Sequence, residues 1–180
     1  MINVRQVKCQ SVFRGVSPFP IAQLEFLRGH MWHEHHDLPR ARHWLTSAWL
    51  RLPSYTQAEG HLAEVEFAVG EREEATTRLR GLASLSEDPD YAAQLARRLG
   101  DAGHHEDAAV WRDRAAAGFD KLIASHPAAF ADHAAEFWLT VGGDPERAHS
   151  LAELNVHNRR TPQAHALLER TVHACSQRPS

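Results

Sequence analysis

The segment Leu62-Ala63-Glu64-Val65-Glu66-Phe67-Ala68-Val69-Gly70-Glu71-Arg72-Glu73-Glu74-Ala75 decides the fold, because its pattern returns in Leu95-Ala96 with Leu99, Gly103 and Ala108. In both copies a small residue sits inside an apolar helical stretch, a glycine ends that stretch, and an alanine opens the next. Glycine suits a helix C-terminus because it accepts a left-handed conformation. Outward from this segment, Ala41, Ala75, Ala108 and Ala148 follow one another at separations of 34, 33 and 40 residues, and Gly29, Ala63, Ala96 and Ala135 keep step in the preceding helices. Between the two series lie the breaks His36-Asp37-Leu38-Pro39, Gly70-Glu71-Arg72, Gly103-His104-His105 and Gly142-Gly143-Asp144-Pro145. Further stops fall at Pro53, Pro89, Pro127 and Pro162, where proline cannot continue the helix before it.

Apolar residues on a helical period predict about nine helices, near 20–35, 39–51, 55–69, 72–84, 90–102, 106–125, 128–141, 145–158 and 162–174. The small residues give the repeat its physical reason. Two antiparallel helices approach closely only where a small side chain sits at the crossing, and Leu62, Leu95, Leu99, Trp32 and Trp44 fill the space beside it. One pair cannot bury its own faces, whereas stacked pairs can.

Leu62-Ala63 with Gly70 and Ala75, Leu95-Ala96 with Leu99, Gly103, Ala108 and Ala115, and Gly29, Trp32, Asp37, Ala41, Ala48 and Pro53 resemble the tetratricopeptide repeat. Residues 126–139 are similar to bacterial proteins of this class. The resemblance implies an all-α, right-handed α-solenoid of about four helix pairs at 20–53, 54–88, 89–126 and 127–161, with a capping helix at 162–174. An extended or poorly ordered arm is expected at 1–19 and a tail at 175–180. Two departures from the pattern stand out: a second helix in the third pair longer by about two turns, and an extra residue at Gly142-Gly143.

In this family the first helices of successive pairs line a concave groove that takes a segment of a partner. Carried onto this chain, the pattern places Gln23, Phe26, His30, His33 and Glu34 on the groove from the first pair, and Gln57, Glu64 and Phe67 from the second. Asp90, Arg97 and Asp101 follow from the third, and Glu136 and Thr140 from the fourth. Such a mixed acidic, histidine and aromatic surface is expected to attract a basic segment of another protein or peptide, with Arg97 available to a carboxylate. A homodimer packed through Met1–Pro20 is compatible with the same pattern.

Composition narrows the functional classes. Hydrophobic residues at 43% and charged residues at 24% give an ordinary globular balance, enough to fold. A net charge of -3 provides no general attraction to a phosphate backbone, so nucleic acid is not the expected partner. No apolar run reaches the roughly 20 residues that span a bilayer, and Met1–Pro20 lacks the core of a signal peptide. A cytoplasmic address, with no membrane contact, is therefore expected, either for this chain or for a longer protein of which it is a piece. Cys9 and Cys175 are too few and too far apart for a disulfide framework or a zinc knuckle.

Histidine is abundant, with 14 copies, and it clusters at His30, His33, His35, His36 and His43 and again at His104-His105. His30 and His33 share a helix face at metal-ligand spacing, with Glu34 or Glu64 as oxygen ligands, which is the alternative to a solvated or groove-lining role. The His-Glu-x-x-His spacing of a zinc hydrolase is missing, and neither a nucleophile elbow nor a phosphate-cradling loop is present. The expectation is a non-catalytic binding module with no cofactor. Trp32, Trp44, Trp111 and Trp138 fall on apolar stripes and are assigned to the core, while Trp49 is unassigned.

Overall fold

A computed structural model describes residues 17–177. Among them are nine α-helices and no strand: α1 Phe19–Glu34, α2 Leu38–Arg51, α3 Thr56–Ala68, α4 Arg72–Leu85, α5 Pro89–Asp101, α6 His105–Ser125, α7 Pro127–Leu139, α8 Pro145–Asn158 and α9 Pro162–Ser176. Each predicted helix is found, with ends displaced by no more than two residues. The expected arm falls on residues that, up to 16, lie outside those described, and helix already begins at Phe19.

Local chemistry explains why the helices start where they do. The carboxylates of Asp37, Asp88 and Asp144 and the Thr161 hydroxyl accept from backbone N–H groups of the first turns of α2, α5, α8 and α9. Such caps satisfy donors that the helix itself leaves unpaired. Proline occupies the first turn of α5, α7, α8 and α9, where its missing donor costs nothing.

The turns inside the first three pairs end their leading helices in one way. The Asp37, Glu71 and His104 N–H groups donate back five residues to the carbonyls of Trp32, Glu66 and Leu99, each at 2.9 Å. This closure requires a left-handed residue just before the donor. Gly70 and Gly103 hold it at φ 92° and 83°, and His36 holds it at φ 58° without being glycine. In the fourth turn the extra residue widens the closure: the Asp144 N–H donates back six residues to Trp138, and Gly143 is the left-handed residue.

The chain divides into two compact bodies, Met1–Arg78 and Leu79–Ser180, with the division inside α4. In the N-terminal body α2 packs on α1 and α3, and α1 also touches α3. Its core is Ala41, Leu45, Leu62 and Val65, with Phe26, Trp32, Leu38 and Trp49 packed against it. At the α1–α2 crossing a Cβ placed on Gly29 would lie 2.6 Å from Leu45 Cγ and 3.0 Å from the Leu45 nitrogen, so only glycine fits there.

In the C-terminal body each helix from α5 to α9 packs on the next, and the leading helices also touch one another, α5 on α7 and α7 on α9. Phe119 and Phe137 stack 5.0 Å apart at its centre, among buried Ala115, Ala131, Ala134 and Ala135.

Trp32 packs against the core as expected, but the tryptophans are less enclosed than the residues at its centre. None of the five is fully buried, and Trp49 joins the core periphery as Trp32 does. Each has a guanidinium over its ring: Arg40 on Trp32, Arg28 on Trp44, Arg78 on Trp49, Arg114 on Trp111 and Arg147 on Trp138, at 3.9 to 5.3 Å from the ring centres. One face meets the protein while the other attracts a cation through the ring quadrupole.

Candidate functional site

In the N-terminal body, Phe26 lies between Tyr55 and His61, with ring centres 5.3 Å away in both cases, and stacks on His30 at 6.1 Å. His30 and His61 meet edge to face at 5.0 Å. Glu64 Oε2 lies 2.9 Å from His61 Nδ1 and 3.9 Å from His33 Nδ1. Phe26, His30, His33 and Glu64 thus form one half-buried cluster on α1 and α3. Phe67 is half-buried, while Gln23, Glu34 and Gln57 are exposed.

Two features of this cluster were not foreseen. Glu34, weighed with Glu64 as an oxygen ligand beside His30 and His33, is exposed in the last turn of α1 and lies outside the group of close nitrogen and oxygen atoms. His61, which the sequence reading missed, belongs to that group. The available signal was its spacing of three residues from Glu64 on α3.

Beside this cluster the same body buries acids. Glu25 receives a two-pronged bond from Arg51 at 2.6 and 2.7 Å and a third from the Ser47 hydroxyl. Glu66 receives Arg78 in the same forked manner at 2.9 and 3.0 Å, and Arg78 also reaches Glu59 at 3.3 Å. Burial pushes the Glu59 carboxyl above its ordinary value, with Arg78 pulling the other way.

In the C-terminal body the five expected groove residues separate into two sets. Arg97 and Asp101 of α5 and Thr140 after α7 converge on a hollow of about 420 Å³, completed by His105, Ala108 and Arg112 of α6 and by Val141. Asp90 and Glu136 are outside it and already engaged. His133 Nδ1 is 2.6 Å from Asp90, and that hydrogen bond raises the imidazole from its ordinary value to about 9, with Asp132 and Asp88 adding attraction. Arg170 grips Glu136 through two bonds of 2.8 Å, which raises the arginine further. The acidic character expected of this surface is therefore largely neutralised within the chain. The hollow itself holds Arg97 and Arg112 against Asp101, and Arg112 is already paired with Asp113 at 2.8 Å.

No helix among the described residues is long and apolar enough to cross a membrane. Cys175 is a free, half-buried thiol that donates to the Pro145 carbonyl.

The fold is that of tetratricopeptide-repeat proteins, an all-α solenoid of helix pairs. A thermophilic TPR protein of Thermus thermophilus superposes with a TM-score of 0.62 at 13% identity, covering 87% of this chain and 84% of that one. A Podosopora anserina protein with nearly identical TPR-like repeats matches with a TM-score of 0.50 at 18% identity over 90% of both chains. No protein-family model and no curated protein matches the sequence.

Proposed function

We propose that the chain is a protein-binding module that holds a short segment of another protein in the hollow between α5, α6 and the turn after α7. The observation behind this reading is the convergence of Arg97, Asp101 and Thr140 with His105 and Arg112 around an open space large enough for a few side chains. Among the described residues Arg97 forms no ion pair, so its planar fork of donors is available to a carboxylate. Asp101 and Thr140 supply acceptors beside it. With Asp90 and Glu136 neutralised internally, the favoured guest is a segment bearing an acidic side chain or a terminal carboxylate rather than a basic one. Hollows of this kind bind through a few convergent polar groups set in an apolar wall.

Immobilised full-length chain, incubated with lysate of its own cells, tests this reading. A chain retained by the wild type and by an Arg160→Glu control but released by Arg97→Glu supports it. Equal retention by all three, or none above a blank support, overturns it.

A further inference from the structure

The histidine cluster of the N-terminal body has a chemistry that the hollow does not share. His30 and His33 on α1, and His61 and Glu64 on α3, are each three residues apart, so each pair rises from one helix face. Helices α1 and α3 are in contact, and a nitrogen from His33, a nitrogen from His61 and an oxygen from Glu64 all lie within 4.8 Å of one another, each residue half-buried.

A second observation concerns unsatisfied nitrogens. His30 Nδ1 and His61 Nδ1 are both buried and make no hydrogen bond among the described residues. The 2.9 Å approach of Glu64 to His61 Nδ1 has the distance of such a bond but not its direction. Buried polar atoms are rarely left without a partner, because their lost hydration is not repaid. The His61 nitrogen stands 2.9 Å from the Glu64 carboxylate, an arrangement that a cation would satisfy, and the His30 ring lies 5.0 Å from that of His61.

We propose that His33, His61 and Glu64 bind a borderline divalent cation of the zinc, nickel or copper(II) class, with His30 or a water in the fourth position. Imidazole nitrogen with a single carboxylate suits these ions, whereas calcium and magnesium require mostly oxygen. At bond lengths of about 2.0–2.2 Å, tetrahedral ligand atoms stand roughly 3.3–3.6 Å apart. Two of the three separations are 2.9 and 3.9 Å, within reach of small side-chain rotations. Such an ion would fasten the leading helix of the first pair to that of the second.

Zinc chloride titrated calorimetrically into the full-length chain, free of any polyhistidine tag, is the direct test. One bound equivalent is expected, weakened in His61→Ala and in Glu64→Gln by more than the roughly 10–100-fold typical of losing an outer-shell partner. A His104→Ala/His105→Ala variant should bind as the wild type does. Because a ligand variant could misfold, cobalt(II) spectra of the unaltered chain give an independent reading, with intense visible bands expected for a four-coordinate site. Absence of stoichiometric zinc binding overturns the proposal. So does binding that survives His61→Ala but is lost with His104 and His105, or cobalt(II) bands as weak as those of the hydrated ion.

Discussion

Four residues before the small residue of each leading helix, the repeats up to Arg78 have acids, Glu25 and Glu59, whereas those beyond Leu79 have Ala92 and Ala131. Three residues after it, the second repeat has Glu66 and the third Leu99. Both bodies use one helix-pair template, but the N-terminal body places carboxylates where the C-terminal body places hydrocarbon. It then needs Arg51 and Arg78 to neutralise them, while the C-terminal body keeps its pairs, Glu136–Arg170 and Asp90–His133, towards solvent. A given interior position thus tolerates either chemistry, provided that a charge brings its partner.

The largest expected effect tests that contrast directly. Arg78→Ala leaves Glu66, with a side chain only 5% exposed, without its cation, and such losses cost about 3–5 kcal/mol. Arg170→Ala removes an equally well-formed fork from Glu136, but both partners are about half exposed, and surface pairs are worth roughly 1 kcal/mol or less. Urea unfolding of the two variants measures the gap, and equal losses would erase the distinction between the bodies.

A second comparison sets Gly29 against Gly100. The Cβ of Gly29→Ala would sit 2.6 Å from Leu45 Cγ and 3.0 Å from backbone, while that of Gly100→Ala would meet only Ala108 at 3.9 Å. The first substitution should destabilise by about 1–3 kcal/mol, as overpacking does. The second should be neutral or stabilising by up to roughly 1 kcal/mol, from helix propensity. Thermal melting distinguishes them.

The turns give a smaller effect. Gly70→Ala forces a Cβ into the left-handed region at a cost of roughly 1–2 kcal/mol, whereas His36→Gly relieves that same strain at φ 58° and should raise the melting temperature. A fall in melting temperature for His36→Gly would mean that the imidazole makes a contact that outweighs the strain.

The smallest effect is on pH dependence. Asp90 raises His133 from 6.5 to about 9. A raised imidazole stabilises the fold fully below its ordinary value and loses that contribution as pH climbs through the raised one. The melting difference between the wild type and His133→Gln should thus be present below 6.5 and vanish above about 9. With His133 more than half exposed, the difference should be small. A difference that grows with pH would contradict the assignment.

Helix boundaries were legible in the sequence because their signals are local. Asp37, Asp88, Asp144 and Thr161 cap within three residues of themselves, and the prolines and glycines act on their own dihedral angles. The site was legible only in part, because pairing between helices is not local. Glu25 finds Arg51 26 residues away, Asp90 finds His133 43 residues away, and Glu136 finds Arg170 34 residues away. Nothing near those acids in the chain shows which of them will be neutralised. His61 carried a local signal in its spacing from Glu64, but its meeting with His30 crosses from one repeat to the preceding one.

The arginine-roofed indoles divide unevenly, Trp32, Trp44 and Trp49 before Arg78 and Trp111 and Trp138 after Leu79. Intrinsic fluorescence is therefore already partitioned along the chain. Replacing Trp111 and Trp138 with phenylalanine would leave an optical reporter confined to the N-terminal portion, and stopped-flow emission could then time its unfolding separately from the rest.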